Sequence, residues 1–522
     1  MEKSPSPAEN SGSSVSSIQK VDAALTTSRI AEQNEINAAT VDLSLSEELK
    51  DQKVEELAKE YGVDIKRLRW KIDLCVVPPF CLMYFLSFLD RVNISNAKIY
   101  GIEADLGLHG QQFNIALTVF FVPYIIFEVL SNYMLKIVKP HLWLSVMIFL
   151  FGIVTICLAY SHSFGGLVAC RFLLGTFESG SFPAIFYIMS NFYTTMESQR
   201  RFSIFFSCTC LAGGCAGAIA YRLQDLQGVH GLNSWQWIYI VEGSVTAGLA
   251  ILLFFIVPDF PEQARFLSEG ERSFLKKKLE VFAGKSGFEI KQTWRDVAQV
   301  FKEPLMYIAS LAYFCLIVPA YSYAYFAPTI IKELGYTAMT AQAYSIYPWL
   351  VSLGFSIILA FVSDKTRIRA PYAILASVIA IIGLAMVFAG GSHTHLKYGG
   401  CFLVATGLYS AMPILVCWMS LTFAGHIRKS VGTGYVIGYG NIGGIVSSFI
   451  FPNSEAPSYR KGLAICLGFS ALSIIFILAF LANLMIYTRA KKTASYREKW
   501  DKLSNREKIM KGDYNPDYRY QY

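Results

Sequence analysis

Along the chain, apolar positions gather into runs of roughly 20 residues separated by short polar turns. A helix of that length crosses the ~30 Å hydrocarbon layer of a bilayer while satisfying its own backbone hydrogen bonds. The runs predict six spans at about 73–92, 112–135, 142–160, 165–190, 202–222 and 237–257. A polar connector follows at 258–303, and then six more spans at about 305–330, 342–362, 371–390, 398–421, 430–451 and 463–487.

Six spans, a long connector and six more is the layout of a two-half secondary transporter. The pattern predicts an all-α polytopic membrane protein with twelve transmembrane helices in two six-helix halves. Its expected units are a tail at 1–70, a first half at 71–257, the connector, a second half at 304–488 and a tail at 489–522. The halves share no evident sequence identity. Even so, "SNYMLKIVK" after the second run and "SDKTRIR" after the eighth put polar and basic residues at equivalent turns. Residues 1 to about 50 have the polar composition of a disordered segment. The stretch "EELKDQKVEELAKEYGVDIKRLRWK" has helical spacing and turns basic towards the membrane, and reads as a surface helix leading into the first span.

Composition agrees: 54% of residues are hydrophobic and only 16% charged, against about a quarter charged in a soluble domain. The start "MEKSPSPAENSGSSVSSIQK" lacks an apolar h-region, so the first span is expected to act as the targeting signal. Basic loop residues set the orientation. Lys66, Arg67, Arg69, Lys71, Lys136, Lys139, Arg200, Arg201, Lys365, Arg367, Arg369, Arg428 and Lys429 fall on one side. The other side holds Lys98, Arg222, Lys332 and Lys397, with Arg460 and Lys461 against the trend. Both termini are therefore expected in the cytoplasm. The net charge of +8 fits such loops and gives no sign of a nucleic-acid partner. Most of the 11 cysteines lie inside apolar runs without metal-ligand spacing and read as packing residues.

No GxxxxGK[ST] phosphate loop occurs, so nothing supports an ATP-driven pump. No metal-ligand cluster is evident, no cofactor is implied, and an enzyme is not expected. The chemistry is left to ionisable groups inside the spans. Each costs about 2.5–3.5 kcal/mol at a helix centre on insertion scales, so each should face a cavity or a partner. Asp90 and Arg91 in "SFLDRVNISN" and Arg171 and Glu178 in "RFLLGTFESGSFPAIFYIMSNFY" stand out. Arg171 and Glu178 are two turns apart, on one face and about 10 Å apart along the axis. Gly175, Gly180 and Ser181 leave room there for another helix or a ligand. A cavity-facing Arg offers a fork of donors to a carboxylate. A Glu on the same stripe can exchange a proton, controlled by burial and by the nearby cation. The plainer reading is a static ion pair locking the helices. Likewise, Asp90 and Arg91 taken alone could simply end the first helix at the outer rim.

Glu128 near the end of the second span and Lys136 two turns on read as a gate or loop anchor. In "VPAYSYAYFAPTI", Pro319 and Pro328 can break the seventh helix, while Tyr321, Tyr323 and Tyr325 either surround a ligand or form an interfacial belt. Asn441 in "VGTGYVIGYGNIGGIVSS" is a candidate ligand. The spacings Gly434 to Gly438 and Gly213 to Gly217 predict close helix packing.

These segments resemble the anion:cation symporter branch of the major facilitator superfamily, specifically its fungal allantoate-permease-like group. The resemblance rests on "FLDRVNISNAKIYGIEADLGLHGQQFN", on the fourth-span segment quoted above, on "SWQWIYIVEG" and on "PDFPEQARFLSEGER". It runs from about Lys71 to Ala490, and with the C-terminal "DYNPDYRYQY" it is closest to nicotinate permeases. It implies alternating access around a central cavity, with a proton gradient driving uptake of a small organic anion, nicotinate first, across the plasma membrane. A vacuolar location is the second possibility. The positions matching that group's binding and coupling residues are Asp90, Arg91, Arg171 and Glu178.

The expected roles are Glu178 as main proton carrier with Asp90 as coupled partner, and Arg171 or Arg91 for the substrate carboxylate. Asn441 and Tyr321 would support the ligand, and Glu128, Lys136, Asp364 and Arg367 would gate. The expected partners are the anion, protons and the lipid bilayer, for a monomer. Allantoate, ureidosuccinate, pantothenate, biotin or a dipeptide are the alternative substrates, and a non-transporting nutrient sensor is the alternative of another class. One departure stands out: the superfamily's Gly-x-x-x-Asp-Arg loop is reduced to "SNYMLKIVK", with Asn132 where an acid is common. Only "SDKTRIR", with Asp364, keeps its acid.

Overall fold

Asp64 starts the first long helix. In a computed structural model of the chain, its carboxylate accepts from the backbone N–H groups of Lys66 at 2.8 Å and Arg67 at 3.2 Å, satisfying two donors that a helix start leaves orphaned. The structure describes residues 47–283, 300–366, 368–391, 393–423, 426–456 and 458–503, with 514, 516 and 520. Among these, all regular structure is helical.

The first span is Ile65–Ile99, followed by Gln112–Ile137, Pro140–Ala159, Phe164–Phe192, Thr195–Leu223 and Ser234–Ile256. The seventh to twelfth are Pro304–Glu333, Ala338–Thr366, Ala370–Ala389, Thr394–Thr422, His426–Ser447 and Arg460–Lys491. Among the described residues, ten helices are long and apolar enough to cross a membrane. The second and eleventh, which carry Glu128 and a run of glycines, fill the two remaining places of the predicted twelve.

The first helix differs from its predicted extent. It has 35 residues, about 52 Å at the usual rise, and so projects well beyond the hydrocarbon layer. Lys66 to Lys71 form its opening turns and are not part of the surface helix, which is Glu47–Glu60. Asp90 and Arg91 consequently lie more than two turns before its end, so they do not mark a helix running out into water.

Helix packing repeats with an offset of six spans. The first packs on the fifth as the seventh does on the eleventh, the second on the fourth as the eighth on the tenth, and the third on the sixth as the ninth on the twelfth. The halves meet where the first faces the seventh, the second faces the eleventh, and the fifth faces the eighth and tenth. Small residues permit these approaches. A Cβ on Gly213 would stand 2.5 Å from the Trp349 ring, and one on Gly217 2.8 Å from Ser345 Oγ. In the eleventh span the close contacts shift from the expected pair: Gly440 abuts the Tyr313 ring and Gly444 the Phe121 ring, while Gly434 faces open space.

The fourth span has a break that its apolar pattern did not mark. One helix ends at Glu178 and another begins at Ser181. A side chain on Gly175 would overlap the Phe120 carbonyl, and one on Gly180 the Ser131 side chain, both in the second span. The room these glycines leave is therefore taken by a helix. The seventh helix runs unbroken across Pro319 and Pro328.

At the end carrying the basic loops, ion pairs fasten the connector helix Glu269–Ala283 to the first half. Lys278 and Arg69 lie 2.9 Å and 3.1 Å from Glu197, and Lys71 lies 2.7 Å from Glu271. Arg201 grips both carboxylate oxygens of Asp73. Burial alone would push the Glu197 carboxyl up, but Lys278, with help from Arg69, holds it below the usual carboxylate range.

Candidate functional site

Consecutive residues on an α-helix point about 100° apart, so Asp90 and Arg91 face different neighbours. Arg91 points into the seam between the halves. Its Nη2 donates to Glu178 Oε1 of the fourth span, and its Nη1 donates to the Tyr321 hydroxyl of the seventh at 2.5 Å. The rings of Phe120, Tyr124 and Tyr321 stand 5.2, 5.3 and 5.7 Å from its guanidinium carbon, within cation–π range. A single cation thus ties together the first, second, fourth and seventh spans.

Asp90 is buried within the field of Arg171, and among the described residues its Oδ1 has no hydrogen-bond partner. Arg171 Nη2 in turn donates to the Tyr239 hydroxyl of the sixth span at 3.2 Å. Asp90, Arg91, Arg171 and Glu178 are only 2–4% exposed, so this conformation seals the set. The outer-rim reading of Asp90 and Arg91 therefore does not hold. Nor do Arg171 and Glu178 form a static pair with each other. Glu178 bonds to Arg91, whereas Arg171 bonds to Tyr239 and, among the described residues, closes no ion pair with Asp90 but sets the field there together with Arg91.

Of the three tyrosines, Tyr321 bonds to Arg91, Tyr325 stacks on Tyr321 with centroids 5.8 Å apart, and Tyr323 packs against Trp349 at 5.6 Å. All three are buried, which removes the interfacial-belt reading. Asn441 is buried in the eleventh span, but among the described residues none of the four charged groups bonds to it. Glu128 is buried at the seam of the second and eleventh spans, where a Cβ on Gly438 would lie 3.6 Å from its Oε2. Asp364 pairs with Arg200 at 3.5 Å, eighth span to fifth, across the halves. The Lys136 side chain and Arg367 lie outside the described residues.

One buried acid within the spans was missed. Glu242 of the sixth span is 2% exposed, and its Oε2 accepts the Asn93 side-chain amide. The cost of intramembrane charge that singles out Glu178 applies equally to Glu242. The predicted span start at 237 placed it near a helix end, whereas the helix begins at Ser234. The Phe120 and Tyr124 faces gave no signal at all, because apolar periodicity does not show which rings meet a cation.

The profile of the Major Facilitator Superfamily matches residues 80–452. An uncharacterized transporter of Schizosaccharomyces pombe is 31% identical over 460 residues, covering 87% of this chain and 90% of the relative. The high-affinity nicotinic acid transporter of Saccharomyces cerevisiae is 30% identical over 466 residues, covering 88% and 85%. Among solved structures, the proton:xylose symporter bound to 6-bromo-6-deoxy-D-glucose aligns with a TM-score of 0.61 at 14% identity, covering 77% of this chain and 94% of that one. At that identity the likeness concerns the fold.

Proposed function

Because the chain belongs to the Major Facilitator Superfamily, we propose that this membrane transporter is a proton-coupled importer of a small organic carboxylate, nicotinate first, working by alternating access. The observation that carries the reading is the sealed, buried set of two acids and two bases, in which Glu178 is paired with Arg91 and Asp90 lies in the field of Arg171.

With all four groups ionised, the set is neutral. Adding a carboxylate alone would leave a net negative charge in a site of low dielectric, which is strongly opposed. A proton on Glu178 restores neutrality and frees the Arg91 fork; a proton on Asp90 does the same for Arg171. An arginine released in this way can take the anion through two parallel N–H bonds. Anion and proton therefore enter together. Glu178 is the main proton carrier because its partner Arg91 also holds Tyr321 of the second half. Loading that site is then felt at the seam that must open and close. Tyr321 and Asn441 complete the ligand shell.

Asp364 with Arg200 supports the gating role given to the basic end, where Lys136 and Arg367 also fall, with Glu128 acting at the second–eleventh seam. Nicotinate as first substrate rests on the similarity to a nicotinic acid transporter. With both termini in the cytoplasm, a plasma-membrane monomer would import with the prevailing proton gradient.

The test is uptake of labelled nicotinate by cells or vesicles carrying the protein. Uptake should rise as the outside is acidified, exceed equilibrium, and stop with a protonophore. Allantoate, ureidosuccinate, pantothenate, biotin and a dipeptide serve as competitors. Concentrative uptake that ignores the protonophore would exclude symport, and uptake of a competitor in place of nicotinate would reassign the substrate.

A further inference from the structure

Glu242 adds a third acid beside a set of charges that is already balanced without it. We propose that Glu242 and Asp90 form a proton-sharing acid pair, making the sixth span a proton-holding element of the transport cycle. This rests on the symport reading above and deepens it.

The geometry carries the argument. Asn96 Nδ2 donates to Asn93 Oδ1 at 2.7 Å, and Asn93 Nδ2 donates to Glu242 Oε2. That chain of amides fixes Oε2 as an acceptor and leaves Oε1 for a proton, since a protonated carboxyl carries one O–H and keeps acceptor capacity on the other oxygen. Among the described residues, the buried Glu242 Oε1 and Asp90 Oδ1 have no hydrogen-bond partner. Asn93, which holds Glu242, stands three residues after Asp90 on the same face of the first helix, and among the described residues the titratable groups whose field reaches Glu242 are Asp90 and, on its own helix, Tyr239. Arg171 of the fourth span donates to Tyr239 and, with Arg91, sets the field at Asp90, while the Thr155 hydroxyl of the third span donates to the Phe151 carbonyl. The fifth span packs on the sixth without placing a charge on Glu242. Among the described residues, Arg171 and Arg91 act on Asp90 and neither acts on Glu242, so Glu242 is neutral only with a proton bound.

When Arg171 turns its fork to a substrate carboxylate, Asp90 loses the larger of the two cationic fields on it. The O–H bond on Glu242 Oε1 then breaks as one forms on Asp90 Oδ1, and the Glu242 carboxylate takes a proton from water on the proton-rich side. After the anion leaves on the opposite side, Arg171 returns to Asp90, whose O–H bond breaks with release of the proton to water. Glu242 is in this scheme the group that loads Asp90, and the two asparagines position it.

Glu242→Gln discriminates this from a structural role, because an amide copies the shape and neutrality of a protonated carboxyl but cannot pass its proton on. Each coupled proton supports about a tenfold accumulation per unit of pH difference. In Glu242→Gln, where the Glu178 route remains, nicotinate accumulation is expected to fall by the roughly tenfold per unit of pH difference that one proton supports, and the acid stimulation of uptake to become shallower. Uptake in Glu242→Gln with the wild-type pH profile and accumulation would overturn the proposal. If wild-type uptake itself ignores pH and protonophore, it is the symport reading that fails. Should Glu242→Gln not reach the membrane, Asn93→Ala keeps the acid and removes its donor. The midpoint of the pH profile then moves if Glu242 carries a proton and stays in place if it does not. Infrared difference spectra of purified wild-type protein on nicotinate addition supply a readout independent of uptake. A change in the carbonyl band of a protonated carboxyl is expected, and a silent carbonyl region would count against the pair.

Discussion

Glu178→Gln removes a charge from the centre of the bundle while preserving its shape. Arg91 is 4% exposed, so its guanidinium is left with the Tyr321 hydroxyl, the new amide oxygen and three ring faces at 5.2–5.7 Å. Removing one partner of a buried ion pair costs about 3–5 kcal/mol. The ring contacts exist in the wild type and offset nothing, whereas a neutral hydrogen bond to the amide recovers about 1 kcal/mol. The net loss is about 2–4 kcal/mol, a factor of roughly 30 to 900 in the population of the sealed conformation. Two assays read it. In purified protein, the unfolding temperature of Glu178→Gln drops, while Arg91→Met with Glu178→Met loses less, because no orphaned cation remains. In vesicles, Glu178→Gln copies the protonated carrier, so nicotinate exchange persists without acid stimulation and accumulation is lost. If the double variant were as unstable as the sum of the two single ones, the orphaned-charge reasoning would be refuted. Fully pH-dependent, concentrative uptake in Glu178→Gln would remove Glu178 from the role of carrier.

Other consequences are simpler to check. Arg171→Lys keeps the charge but loses the planar fork, so the KM for nicotinate should rise by about tenfold or more while the protein still reaches the membrane; an unchanged KM would take Arg171 out of the substrate site. Gly175→Val forces a side chain into the Phe120 carbonyl of the second span. Overpacking at such a contact costs about 1–3 kcal/mol or more, and surface expression should drop sharply, whereas Gly434→Val, facing open space, should be tolerated. Asp364→Asn breaks a pair whose Arg200 side chain is 60% exposed. Asp364 itself is only 8% exposed and the buried Arg369 also acts on it, so the loss exceeds the about 0–1 kcal/mol of a fully exposed pair; transport rate and melting temperature should both fall, and unchanged values would take Asp364 out of the gate. The lowered Glu197 carboxyl contributes stability that is fully present above the ordinary carboxylate range and is lost as pH falls through its folded value. Melting temperature should therefore decline in acid, and Lys278→Met should flatten that decline.

The sequence alone was enough to define the bundle, because hydrocarbon thickness imposes a minimum apolar length on every span and forbids unsatisfied backbone within it. Intramembrane charge likewise exposed Asp90, Arg91, Arg171 and Glu178, since each such group needs a reason to be there. What the linear pattern did not hold was who faces whom. That Arg91 takes Glu178 and Tyr321, that Arg171 turns to Tyr239, and that Glu242 reaches Asn93 all depend on the rotation of each helix about its axis. Those rotations are set by contacts between distant segments, such as Gly175 against Phe120 and Gly213 against Trp349. Apolar runs with weak one-sided periodicity carry little information about rotation. Length and cost of charge are local properties and are written in the sequence, whereas the pairing of charges is a property of packing and was decided only in the folded bundle.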